Sequence, residues 1–252
     1  MDDTLTPDDR YYRLQAGWTR PHRNALYRRI NLSGRRRVLD IGCADGFITE
    51  EIARKADGPV TGIDIDADAV FRGRARFPEL DLRAEDACGL PFKKGEFDAV
   101  ITSFTLMWIA DPSRVLREVR RVLESGGLFL ATGEPDHGGR IDWPKQCDVK
   151  QPWIDALSRQ GADPFFGRKM ASLISVSGLD VVDVGVLSSL WGGEEGEGRE
   201  TYLDDLRLQL SDHVPDIEGL IVDERRAQDE GERLVFLPIF WAVAKKLSLI
   251  HI

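Results

Sequence analysis

The run Val38-Leu39-Asp40-Ile41-Gly42-Cys43-Ala44-Asp45-Gly46 has the types and spacing of a ligand-binding turn. A short apolar stretch enters a glycine turn that opens a helical pattern. Backbone amides and a helix N-terminus would then face outward past a strand's carboxyl end, a geometry that suits a nucleoside-containing ligand. The spacing departs from the dinucleotide fingerprint, because the glycines stand at 42 and 46 and an acid, Asp40, precedes the turn. A pyrophosphate gains nothing from an anion there, whereas an amino or sulfonium group does. Asp64 closes the next apolar run, 18 residues past Gly46, where an α/β nucleotide binder sets a carboxylate on ribose hydroxyls. Glu85-Asp86 follows a third run, and a carboxylate there can accept from an exocyclic amine. Each acid alone reads best as a turn or cap residue. Three of them at the ends of successive strands point to a ligand with a ribose, an amine and a positive charge.

The elements that would hold these residues follow from periodicity. Between residues 36 and 132, short runs rich in Val, Ile and Leu alternate with amphipathic stretches, the pattern of βα units around a parallel sheet. Strands are expected at Arg37–Ile41, Val60–Asp64, Asp81–Ala84, Phe97–Thr102 and Leu128–Thr132. Helices are expected at Phe47–Ala56, Ala67–Arg76 and Ser113–Leu123. In the last of these, Val115, Leu116, Val119, Val122 and Leu123 form an apolar stripe, Asp111-Pro112 caps the start and Ser125-Gly126-Gly127 ends it. Residues 8–31 read as two short helices split at Thr19–Pro21. Beyond a Gly/Pro-rich loop, Gly133–Pro144, lie helical stretches near Gln151–Gln160 and Arg168–Val176 and a strand at Asp180–Leu187. A mobile acidic loop is expected over Gly192–Gly198, polar helices over Glu200–Glu230, and a last strand over Arg233–Ala244, where Pro238 demands a bulge.

Composition narrows the class. The 252 residues carry 34 Lys and Arg against 43 Asp and Glu, a net charge of -9 that repels phosphate backbones and makes nucleic acid a poor expected partner. Much of that surplus lies in Asp2–Asp9, Glu194–Glu197 and Asp223–Glu232, outside the three-acid site, which weakens it as a case against RNA. Cys43, Cys88 and Cys147 are odd in number and form no CxxC pair, so the expectation is a reducing cytoplasm with neither disulfide framework nor metal site. No apolar run approaches the roughly 20 residues that span a bilayer, and the start MDDTLTPDDR is acidic where a signal peptide is basic and then apolar. A soluble, cytoplasmic protein is expected, with Leu247–Ile252 as a tail without function.

At these residues the chain resembles the class I S-adenosylmethionine-dependent methyltransferases, in particular the small-molecule group often termed type 11. The matching segments are VLDIGCADG at 38–46, TGIDID at 61–66, AEDACGLPF at 84–92 and FDAVITSFTLMWIADPSRVLREVRRVLESGG at 97–127, with LFLAT after it. They cover residues 36 to about 134, and PIFWAVAKK looks like the group's final antiparallel strand. The resemblance implies one methyltransferase domain over 1–252 with a Rossmann-like, doubly wound, seven-stranded mixed sheet, last strand antiparallel, and a helical cap. Residues 1–31 would form the N-terminal cap, 36–134 the cofactor core, 136–230 the substrate cap and sixth strand, and 233–246 the final strand. It implies S-adenosyl-L-methionine as cofactor and S-adenosyl-L-homocysteine as product. Asp40 and the turn Gly42, Cys43, Ala44 would hold the methionine part and Asp64 the ribose. Ile65 would flank the adenine, Asp86 and Ala87 would meet its amine edge, and Ser103 would lie near the sulfonium. Ala44 stands where the group more often has glycine, and its methyl is expected to fit with φ below zero.

Methyl transfer is an in-line displacement at an activated methyl, so the protein must chiefly align a nucleophile and exclude water. A protonated nucleophile needs a base, for which His137 is the candidate, with His22 and Glu134 behind it. Tyr11, Tyr12, Trp18, Trp108 and Trp191 are expected around the substrate, with Trp143, Phe165 and Phe166 as further aromatics of a lid. The leading expectation is transfer to an oxygen, nitrogen or carbon of a small-molecule metabolite, with a homodimer allowed. The alternatives are a methyltransferase acting on tRNA or protein and a cofactor-binding protein without turnover.

Overall fold

A computed structural model describes residues 12–13, 16–187, 190–191 and 197–247. Its strands are β1 (Val38–Ile41), β2 (Val60–Asp64), β3 (Asp81–Ala84), β4 (Phe97–Thr102), β5 (Leu123–Pro135), β6 (Ile141–Trp143), β7 (Asp180–Leu187), β8 (Leu190–Trp191), β9 (Leu234–Phe236) and β10 (Ile239–Lys245). Seven of them form one sheet in the order β3-β2-β1-β4-β5-β10-β7, in which β10 runs antiparallel to both neighbours. The strand order reverses between β1 and β4, which opens a crevice beyond their carboxyl ends.

Alternation along the central strands divides the core into two layers. Ala99, Ile101 and Leu130 face Leu26, Tyr27 and Ile30, carried by or just past α1 (Arg20–Arg29), and Ile52 of α2 (Phe47–Ala53). Val100, Phe129 and Ala131 face Val115, Leu116 and Val119 of α4 (Pro112–Val122) and Met170 and Ile174 of α6 (Phe166–Val176). Between these layers β4 is buried along its whole length, as expected of a central parallel strand covered on both faces. Caps begin the helices that frame the crevice. Asp66 accepts from the N–H groups of Asp68 and Ala69 at the start of α3 (Ala67–Arg76), and Asp111 accepts from that of Arg114 at 2.9 Å, with Pro112 in the first turn.

Several boundaries differ from the sequence expectation. Helix α2 ends at Ala53, short of Ala56. Strand β5 starts at Leu123 rather than Leu128: α4 stops at Val122, Leu123 turns extended and pairs with Phe97, and Gly126, at φ 82°, accompanies the break in register. Glu197 and Gly198, expected in the acidic loop, belong to α7 (Glu197–Leu210). Residues 192–196 lie outside the described residues, as do Tyr11, the tail 248–252 and the side chain of Trp191. The final strand is two strands. Pro238 cannot donate to a ladder, and here the chain leaves one sheet for another: β9 pairs with β6 and β8, while β10 enters the large sheet.

The small sheet belongs to the cap, together with α5 (Lys150–Arg159), α7 and α8 (Ile217–Asp229). A buried ionic cluster fastens it. Arg233 donates through Nε to Glu224 at 2.7 Å and through Nη2 to Asp142 at 2.8 Å, and Arg140 donates to both carboxylate oxygens of Asp142. The side chains of Arg233, Glu224 and Asp142 are sealed from solvent. Removing one partner from such a cluster strands the others without compensation. Arg233→Ala should therefore lower unfolding stability by about 3–5 kcal/mol in urea titration; a loss under about 1 kcal/mol would show that the cluster does not hold the cap.

Candidate functional site

The turn after β1 is closed by neighbouring backbone and one side chain. Gly42 and Cys43 donate their N–H groups to the Ile63 carbonyl at 2.8 and 3.0 Å. Ala44 N–H donates to Asp64 Oδ2 at 2.8 Å, and Asp66 N–H donates to Oδ1 at 3.0 Å. Asp64 thus holds the turn from the end of β2 and retains acceptor capacity on both oxygens. Gly42 has φ 80°, and a Cβ there would lie 2.1 Å from Thr105 Oγ1, so no side chain fits. Ala44 has φ 45°, contrary to the expectation of a negative angle: its N–H is fixed on Asp64 and the turn closes only through the left-handed region.

A second loop, from Ser103 to Trp108, faces that turn. Phe104 also has a positive φ, 54°, and its N–H donates to Gly133 O. Glu134 fixes the rest, accepting from the N–H groups of Thr105 at 3.0 Å, Leu106 at 2.8 Å and Met107 at 3.2 Å. Burial pushes its carboxyl up to about 7, against the pull of those three amides. Ser103 Oγ lies 2.6 Å from Thr132 Oγ1.

Between these loops and the cap is a cavity of about 710 Å³. Of the expected cofactor residues, Gly42, Cys43, Ala44, Asp64, Ile65, Asp86, Ala87 and Ser103 line it, and Tyr12 and Trp108 line it from the expected pocket. Ile65 is 76% exposed, an uncovered apolar side chain at the rim where a planar base would shield it. Asp64, Glu85 and Asp86 line the same end, beside Asp45, which Arg76 pairs from behind at 2.9 Å, and among the described lining residues there is no Lys, Arg or His. The cavity therefore favours a cation, and its residues fit a nucleoside with a positively charged arm.

The other expected residues lie elsewhere. Asp40 does not line the cavity: it points behind the turn, where Thr49 Oγ1 donates to it at 2.6 Å, and burial raises its carboxyl to about 7. His137 is likewise absent from the wall. The turn after β5 carries it under α5, where its ring lies 5.9 Å from that of Trp153, and burial drops its imidazole to about 3. Neither Trp18 nor His22 is part of the lining, and the His22 ring lies 6.0 Å from that of Trp241. Trp143 is exposed on β6, Phe166 is core, and Phe165 stacks under Arg168. In their place the cap supplies Trp153, Leu157 and Gln160 at α5 and Asp205, Leu208 and Gln209 of α7. One signal in the sequence could have found the last group: Asp205 and Gln209 interrupt the spacing of Leu203, Leu206 and Leu210, three buried leucines.

The chain is similar to known methyltransferases in sequence and in fold. A family model described as a methyltransferase domain matches residues 39–131. A demethylmenaquinone methyltransferase of Lactiplantibacillus plantarum is 32% identical over 181 residues, 67% of this chain and 72% of that protein. An uncharacterized 37.1 kDa protein in transposon TN4556 of Streptomyces fradiae is 29% identical over 202 residues, 75% of this chain and 57% of the other. The chain spans about half the length of several curated relatives it matches. In fold it is similar to a phospholethanolamine N-methyltransferase 2 of Haemonchus contortus, solved with phosphomonomethylethanolamine and S-adenosylhomocysteine. That likeness has a TM-score of 0.64 at 16% identity and covers 98% of this chain and 59% of the other.

Two stability predictions arise from the turn. Ala44→Gly should relieve the left-handed strain and raise stability by about 0.5–1 kcal/mol, the strain exceeding the entropy that glycine adds to the unfolded chain; destabilisation in thermal melts would contradict the assigned backbone. The second concerns Asp40, which keeps its proton to about pH 7 in the folded state, while in the unfolded chain it loses it near pH 4. The folded state therefore binds more protons in that window and stability falls as pH rises through it. Asp40→Asn should flatten this fall between about pH 4 and 7 in urea unfolding, and an unchanged slope would refute the raised carboxyl.

Proposed function

The chain belongs to the class I S-adenosylmethionine-dependent methyltransferases, and we propose that it moves a methyl group from S-adenosylmethionine to an oxygen or nitrogen of a neutral or cationic small molecule. The observation that carries this reading is the continuity of the cavity: one space runs from the acids at the ends of β2 and β3 to an apolar chamber under the cap. When bound, the cofactor would supply a methyl already activated on a sulfonium. Asp64 would accept from the ribose hydroxyls, Asp86 from the adenine amine, and Ile65 would cover a face of the base. The 42–44 turn and Ser103 would border the methionine arm. Tyr12, Trp108 and Trp153 would shut water from the reacting atoms and present the acceptor in line.

The absence of basic side chains from the described wall supports an acceptor without negative charge. The demethylmenaquinone named for the Lactiplantibacillus plantarum relative supports the small-molecule side of the reading. No helix among the described residues is long and apolar enough to cross a membrane.

Calorimetry with S-adenosylhomocysteine tests the site. Wild type should bind one equivalent, and Asp64→Ala should bind at least roughly tenfold more weakly, because the ribose loses its acceptor and the turn loses its anchor. Equal affinity of the two proteins would remove Asp64 from the site, and no binding by wild type would remove the cofactor assignment.

A further inference from the structure

The cap side of the cavity contains one acid, and none of the roles described so far uses it. Asp205 of α7 lines the chamber yet is only 8% exposed. Gln160 Nε2 donates to Gln209 Oε1 at 2.8 Å, and Gln209 stands one helical turn along α7 from Asp205, where its side chain favours the ionised carboxyl. All three residues border the cavity. Two amides thus stand beside the carboxyl in a wall otherwise built from Trp153, Leu157, Leu208, Trp108 and Ile109. An ionised acid in such surroundings is costly unless something donates to it. Arg140, the charged group that bears on it, pulls its carboxyl down, yet burial prevails and leaves it near 7. A carboxylate of that basicity can take a proton from a ligand at neutral pH.

We propose that Asp205 reads the methyl acceptor: the acceptor has an apolar or aromatic body and an O–H or N–H group that donates to this carboxylate, and Asp205 takes the proton as the methyl arrives. This rests on the methyltransferase reading above. The balance is simple. The acceptor's lone pair forms the new bond to the methyl carbon, the carbon–sulfur bond breaks with its electron pair going to sulfur, which becomes a neutral thioether, and the acceptor's proton passes to Asp205 and then to water. His137, sealed behind Trp153, is not needed for the step.

Four probes of similar size measure the preference by NMR titration of protein saturated with S-adenosylhomocysteine: 4-ethylphenol, 2-phenylethylamine, 4-ethylanisole and 3-phenylpropionate. The phenol and the amine should bind, the anisole and the carboxylate should bind more weakly, and Asp205→Asn should reduce the first two by roughly tenfold while leaving S-adenosylhomocysteine affinity intact. Equal binding of phenol and anisole, preference for the carboxylate, unchanged affinity in Asp205→Asn, or binding of none of the four would overturn the proposal. Should the variant fail to fold, the wild-type ranking decides alone. Failure of wild type to bind S-adenosylhomocysteine would instead strike the methyltransferase reading, and the same ranking in ligand-free protein would still test Asp205.

Discussion

Both loops that face the cavity depend on one buried carboxylate. Glu134 ends the fifth strand with no access to water and gathers three backbone amides from the neighbouring loop, which has no sheet or helix partner of its own for them. Once Thr105 is held there, its side chain occupies the space beside residue 42, and only glycine fits against it. That glycine lets the first turn tighten, the tightened turn brings the Ala44 amide onto Asp64, and Asp64 is left at the rim. A buried polar group without partners would be costly at each step, and here each is satisfied by the next, so the two halves of the site form one network rather than two loops that happen to meet.

Charge is distributed with the same economy. The surplus of acids along the chain is largely peripheral, but those at the ends of β2 and β3 lie where no cationic side chain of the described wall offsets them. Two arginines of the cap are instead turned inward, where Arg140 and Arg233 neutralise Asp142 and Glu224 beneath the small sheet. The cavity is thus left electronegative by the placement of the arginines as much as by that of the acids.

The parallel half of the sheet was legible because strand and helix periods alternate there without interruption, and the acids past β2 and β3 could be placed from strand ends alone. What the sequence hid depends on contacts between distant segments. Asp40 reads like a ligand residue but faces Thr49, since strand alternation turns it away from the side on which the turn opens. His137 has the right residue type at a strand end, yet the chain dives under α5 just there. The small sheet was missed because its strands are two or three residues long and come from three remote places, so no local pattern marks them. Asp205 left only the trace of an interrupted leucine spacing on its helix, and a polar residue beside so short a stripe reads as solvent-facing until the cavity is in place.

Pro238 and its neighbour Leu237 are all that separates β9 in the cap from β10, which is wedged between β5 and β7. A span that short acts as a rivet, not a tether. Swinging the cap open as a rigid lid would drag on a strand bonded along both edges, so the roof over the cavity is fixed on that side. Ligands are left a way in at the side, where the exposed edge of α7 at Leu208 borders the chamber and no described strand fastens it.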